Sequence, residues 1–254
     1  MTTITATDRP PASALGRILN VARLHIVTPW TAIGLPWLIL GVILLGNLGI
    51  WALILANVPE ADKAKVSEGF GYSGSSMFIF VYMMVVAVQA ISVTFPFALG
   101  YGVTRRDYYL GTGVTFIGLA AMYSVGLTIL AGLEEATNGW GLNGSMFSTF
   151  YYGEAWYERL FIFFAAFLFF FSVGMAAASI WVRWKANGLV AFFIGLGVLI
   201  LGGGALITVT ESWVAVGTFF ANAGLVGSFA WSLVISAIAA VGGFAVLRRA
   251  TPKS

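Results

Sequence analysis

Apolar positions in this chain come in long unbroken runs rather than in alternation. Six runs stand out, over residues 31–57, 77–94, 114–133, 160–182, 189–209 and 225–247. Each is near the ~20 residues that a helix needs to cross a bilayer. Strands of a membrane barrel alternate lipid-facing and lumen-facing residues, a pattern these runs lack. The first run is longer than the ~7–15 apolar residues of a signal peptide, so it is expected to be a retained span. Ahead of it the pattern acquires a helical period. Ser13 fits an N-cap; Leu15, Ile18, Leu19 and Ala22 then share one face, with Arg17, Asn20 and Arg23 elsewhere. Residues 13–28 are therefore expected to form an amphipathic helix in the membrane interface, with Pro29 and Trp30 marking a bend into the first span. Residues 1–12 read as a disordered polar tail ending in Pro10-Pro11, and 248–254 as a C-terminal tail. The expected fold class is all-α: a polytopic membrane protein with six transmembrane helices over 29–247 and an N-terminal interfacial helix.

Composition supports this reading. Only 9% of the 254 residues are charged and 59% are hydrophobic, against about 25% charged in a soluble domain. The net charge of +3 is not a nucleic-acid footprint, because the basic residues sit in small groups at the ends of the apolar runs. Ten of the 13 basic residues fall on one side of the expected bundle: Arg9, Arg17, Arg23, Arg105, Arg106, Arg183, Lys185, Arg248, Arg249 and Lys253. Lys63, Lys65 and Arg159 remain for the other side, together with all acidic residues except Asp8 and Asp107. The positive-inside rule then places both termini in the cytoplasm, with the chain in the plasma membrane.

The outer loops are expected over 58–76 and 134–158, where Tyr151, Tyr152, Trp156 and Tyr157 suit an interfacial belt. Residues 210–224 are amphipathic and too short to cross, which suggests a segment dipping into the outer leaflet.

Catalytic chemistry finds few candidates. There is no cysteine and a single histidine, His25, so thiol chemistry and multi-histidine metal sites are excluded. Gly139-Trp140-Gly141-Leu142-Asn143-Gly144 matches G-x-G-x-x-G but follows no strand, and reads as a flexible loop. No lysine follows a glycine, so the chain has no P-loop and is not expected to be an enzyme. Glu134 and Glu135 read as solvated loop carboxylates. Asn47 and Gln89 are the strongest polar groups inside the spans, candidates for lining a path or, more commonly, for interhelical hydrogen bonds. Gly195, Gly197, Gly202, Gly203 and Gly204 keep the fifth span small and suit close helix packing, within the bundle or across a dimer. The phenylalanines between Phe163 and Phe171 read as packing bulk or lipid-facing surface.

One stretch concentrates charge between two apolar runs: Phe95 to Gly113, with Arg105, Arg106 and Asp107 at its centre. Charges of this kind cost roughly 2.5–3.5 kcal/mol each at the middle of a membrane helix, so they belong at a water-facing edge. Pro96, Gly100 and Gly102 are expected to break one helix; Thr104 then suits the cap of a short second helix turning back at Gly111 or Gly113. Such a helix would be a docking knob for a soluble partner. Arg105 and Arg106 are its charged contacts, and Tyr108, Tyr109 and Leu110 its apolar ones.

The run Phe95-Pro96-Phe97-Ala98-Leu99-Gly100, followed by Gly102-Val103-Thr104-Arg105-Arg106-Asp107-Tyr108-Tyr109-Leu110-Gly111, resembles the segment between spans two and three of ABC-2-type ATP-binding-cassette transporter permeases of the actinobacterial kind. The resemblance implies a permease half that pairs with a second half, as a homodimer or heterodimer, and with cytoplasmic ATP-binding subunits. ATP and magnesium would be held by those subunits and no cofactor by this chain. It also implies that Thr104–Leu110 is the coupling helix seated on the ATPase, and that the amphipathic N-terminal helix is the connecting helix. The alternative is a non-transport membrane protein, such as a sensor, immunity or assembly factor, that uses the same bundle to bind a partner.

Overall fold

The computed structural model describes residues 13–27 and 29–250. The expected tail over 1–12, the last residues 251–254, and with them Asp8, Arg9 and Lys253, lie outside the described residues. Among the described residues the chain is helical, with no strand. Five helical stretches of the described residues are long and apolar enough to cross a membrane: Trp30–Ala56, Glu60–Gly100, Arg105–Ala136, Trp156–Val209 and Trp213–Arg248.

Helix α1 (Ala14–Ile26) begins at Ser13, whose side chain accepts a hydrogen bond from the Gly16 N–H at 3.1 Å. It buries Val21 and Ala22, while Leu15 and Leu19 stay exposed. After Pro29 the chain makes a π turn, Trp30–Gly34, and continues as α2 (Leu35–Ala56). The short helix α3 (Glu60–Glu68) follows, occupying part of the stretch expected to be an outer loop. Next come α4 (Met77–Gln89), a second π turn (Ala90–Thr94) and α5 (Phe95–Gly100).

Both π turns end two residues before a proline, Pro36 or Pro96. A proline has no N–H to give the carbonyl four residues back, and its ring crowds that carbonyl. Widening the preceding turn relieves the clash and lets the helix continue. Contrary to the expectation from the sequence, Pro96 therefore does not break its helix. The interruption falls later, at Tyr101 and Gly102, where Gly102 takes φ +79°.

Helix α6 (Arg105–Ala136) is the central post of the bundle. Tyr108, Thr112, Ala120, Tyr123, Leu127 and Ala131 along it are fully buried. Helix α7 (Trp156–Val209) packs its first half against α4 and α6 through aromatic rings. Phe80 lies 4.6 Å from Phe167, and Phe116 stacks on Phe171 at 4.4 Å. The phenylalanine cluster is thus mainly packing bulk. Glycines set two of the closest helix crossings. A Cβ on Gly111 would lie 2.6 Å from the Ile18 carbonyl oxygen of α1, and one on Gly174 would lie 2.6 Å from the Met84 carbonyl oxygen of α4.

Helix α7 is 54 residues long, about 81 Å at 1.5 Å per residue. It is not straight: Lys185 has φ 57° and ψ −148°, a non-helical conformation that divides it into two arms. Helix α8 (Trp213–Arg248) has a similar break at Gly224, φ 65° and ψ −173°. Residues 213–223 thus form a separate exposed helical segment on the stretch expected to dip into the outer leaflet.

Candidate functional site

The segment singled out in the sequence sits where α5, α6 and α1 meet. Thr104 caps α6, its hydroxyl accepting from the Asp107 N–H at 3.1 Å. Asp107 is buried and takes a 2.7 Å hydrogen bond from the Arg17 Nε of α1. Arg17, Asn20, Phe97, Tyr101, Thr104 and Asp107 line a cavity of about 430 Å³ there. Arg105 donates to the Arg248 carbonyl at 2.8 Å, linking the start of α6 to the end of α8. Arg106 and Leu110 are exposed.

Two expectations for this segment change. The helix starting at Arg105 does not turn back at Gly111 or Gly113; it runs unbroken to Ala136. Neither glycine ends it, because Gly111 is needed for contact with α1 and glycine alone costs a helix only about 1 kcal/mol. Nor do Tyr108 and Tyr109 form a surface knob. Both are buried, and their hydroxyls donate to the Ala90 carbonyl of the second π turn and to the Ala240 carbonyl of α8, the latter at 2.7 Å. They tie α6 to its neighbours.

His25, at the other end of α1 from Arg17, has its Nε2 2.9 Å from the Thr112 hydroxyl and its ring edge-on to Tyr108. Burial pushes its pKa down to about 4, because the imidazolium would lose water there.

The other sequence candidates are dispersed. Asn47 donates to the Ile43 carbonyl at 3.0 Å and accepts from the Ser75 hydroxyl at 3.1 Å, so it joins α2 to the entry of α4. Gln89 is exposed on the outside of α4. Gly195, Gly197, Gly202, Gly203 and Gly204 have open space where a Cβ would be, so among the described residues no neighbour presses on these positions.

Some built features had no sequence signal. Glu134 is not solvated. It is fully buried and accepts five hydrogen bonds, from the Met146, Phe147 and Ser148 N–H groups, the Ser148 hydroxyl and the Trp140 indole, all at 2.7–3.1 Å. The glycine-rich loop is therefore anchored. Glu135 pairs with the buried Arg159, which also donates to the Gly153 carbonyl at 3.0 Å. These contacts link the end of α6 to the start of α7. A second cavity, about 1190 Å³, opens between the two arms of α7 and α8. Among the described residues no cluster of His, Cys, Asp and Glu has a metal-binding arrangement.

No family model, curated protein or solved structure matches the chain.

Proposed function

We propose that this chain is the membrane-spanning permease subunit of an ATP-binding-cassette transporter, an exporter whose alternating access is driven by a separate cytoplasmic ATPase. The observation that carries the reading is the segment Phe95–Gly111, whose residue pattern resembles the coupling region of such permeases. Its place in the fold is compatible with the role: Thr104 caps a helix that starts at one end of the bundle, and Arg106 and Leu110 face outward there. In this proposal the contact with the ATPase is made by that helix start and by the α5–α6 turn at Tyr101 and Gly102. Tyr108 and Tyr109 act by holding α6 in place.

The proposal includes six crossings. An unbroken 54-residue helix would be more than twice the ~30 Å hydrocarbon thickness. The break at Lys185 supports two passes, 156–184 and 186–209, with the turn on the basic side. Both termini are then cytoplasmic, and α1 lies in the interface with Leu15 and Leu19 toward lipid. The open glycines of the second arm suit contact with a second permease half.

A second reading, a partner-binding membrane protein without transport, draws on the burial of Tyr108 and Tyr109, which leaves a smaller surface for an ATPase.

Two experiments test the proposal. Cysteines at the exposed positions Ala64 and Glu154 should react with an impermeant thiol reagent in intact cells, and one at Tyr101 should not; the reverse pattern overturns the orientation. Co-expression with a stand-alone ATPase encoded beside the chain should give ATP turnover stimulated by members of a compound panel. A stable complex lacking turnover under every condition would favour the second reading.

A further inference from the structure

We infer that the large cavity between α7 and α8 is a binding site for an anionic glycerophospholipid drawn from the leaflet on the basic side of the membrane. Three helical arms wall it. Phe169, Ala177 and Trp184 come from the first arm of α7, Phe193 from the second, and Ala239 and Val246 from α8. Its volume, about 1190 Å³, exceeds the ~300–1,000 Å³ of ordinary small-molecule pockets. Apart from Asn187 and the Trp184 indole, the side chains lining it are hydrocarbon or aromatic, so the occupant must be largely hydrocarbon.

The length of the cavity argues for a lipid. From Ile235 to Val246 it follows α8 for about 16 Å, and from Phe169 to Trp184 it follows α7 for about 22 Å. One leaflet is ~15 Å of hydrocarbon, or ~20–22 Å with its headgroup region. The cavity therefore runs from near mid-membrane to one face, the depth that one lipid molecule occupies.

The charge at the open end selects the headgroup. Trp184 and Asn187 form that end on α7, and between them lies the exposed Lys185. The Arg183 guanidinium lies 4.4 Å over the Trp184 ring. On α8, Arg248 and Arg249 are exposed just beyond Val246, and Arg105 reaches the Arg248 carbonyl. Neither helix offers a balancing acid nearby: no Asp or Glu occurs from Arg159 to Thr210 or from Ser212 to Ala250. An apolar slot with unbalanced cations at its mouth matches a phosphodiester carrying acyl chains. A free anion would leave the slot unfilled, and an uncharged lipid would leave the cations unused.

The inference takes its sidedness from the proposed topology but not from the proposed transport role, and binding requires no ATPase. The test uses the delipidated full chain in detergent, titrated with phosphatidylglycerol or with phosphatidylcholine of the same acyl chains and read by native mass spectrometry. At least a tenfold preference for phosphatidylglycerol is expected. Ala239→Trp, which fills the slot, should weaken both lipids tenfold or more. Lys185→Gln with Arg249→Gln should lower the preference for phosphatidylglycerol at least threefold and leave phosphatidylcholine unchanged. Equal binding of the two lipids by the wild type overturns the inference, as does full binding by a monodisperse Ala239→Trp protein. If that variant does not fold, the charge variant decides, and an undiminished preference for phosphatidylglycerol overturns the site.

Discussion

The Tyr123 hydroxyl donates to the Ala32 carbonyl at 2.7 Å, and Ala32 is the residue four positions before Pro36. In an ordinary helix the N–H of residue 36 would occupy that carbonyl, and proline has none to give. The neighbouring Thr31 carbonyl accepts from the Tyr82 hydroxyl at 3.0 Å. The second widened turn also receives a tyrosine, with Tyr108 donating to the Ala90 carbonyl at its start. Tyrosines on α4 and α6 thus supply donors to widened turns on neighbouring segments.

This predicts a specific coupling. Tyr123→Phe should cost about 1 kcal/mol, because interhelical hydrogen bonds in membranes average ~0.6 and reach ~1.7 kcal/mol. In a Pro36→Ala background the same change should cost less, because the substituted alanine brings its own N–H to the bare carbonyl. Thermal unfolding in detergent of the four proteins of this cycle measures it. Equal costs in both backgrounds would mean the hydroxyl is not compensating for the proline.

Glycines should divide sharply. Gly111→Ala puts a methyl 2.6 Å from both the Ile18 carbonyl oxygen and the Val21 Cβ, so α1 must move. Faster proteolysis near Arg17 and Arg23 and a lower melting temperature are expected. Gly203→Leu meets open space and should leave the melting temperature of the monomer unchanged, while lowering dimer yield if the second arm faces another permease half. Equal effects of both changes on monomer stability would contradict the packing described.

Glu134 is the anchor of the loop between α6 and α7. Glu134→Ala strands three backbone N–H groups, each costing about 1–3 kcal/mol when left unpaired. Destabilisation above ~3 kcal/mol and protease nicking between 137 and 153 are expected. Glu135→Ala should cost less, because Glu135 is half-exposed and Arg159 keeps its bond to the Gly153 carbonyl. Loop protection unchanged in Glu134→Ala would contradict this assignment.

His25 should make the docking of α1 sensitive to pH. Undocked, its pKa is near the ordinary ~6.5; docked, burial lowers it to about 4. Between these values the undocked state binds more protons, so docking is strongest above pH ~6.5 and weakens as pH falls toward 4. A cysteine at Ala22 should become more reactive, relative to an exposed control cysteine, as pH drops through that window. His25→Gln should remove the dependence, and an unchanged pH profile in that variant would assign it elsewhere.

The sequence foreshadowed the fold unevenly, for physical reasons. Local signals were legible: the apolar runs, and the caps at Ser13 and Thr104, where one short side chain satisfies an N–H three residues on. Tertiary facts were not. The break at Lys185 has no glycine or proline at that position to announce it. Periodicity treats Glu134 as a loop charge, because its donors lie 6–14 residues away and meet it only in the folded chain. Tyr108 and Tyr109 look like surface aromatics beside two arginines until α6 is seen to run on past them. Nor can a local pattern tell Gly111, pressed on α1, from Gly203, which touches nothing.

The central proposal, an ATPase-driven permease, is tested most directly by isolating the tagged full-length chain from its native membrane and identifying what remains bound. A stand-alone ATPase with Walker motifs should be retained in stoichiometric amount and hydrolyse ATP. Replacing the exposed Arg106 by lysine keeps the topological charge but removes the bidentate fork, and it leaves the Arg105 link to the Arg248 carbonyl intact. That variant should reach the membrane at normal levels and lose most of the retained ATPase. Wild-type chain isolated intact with no ATPase bound, or a lysine variant that retains ATPase and turnover in full, would contradict the account.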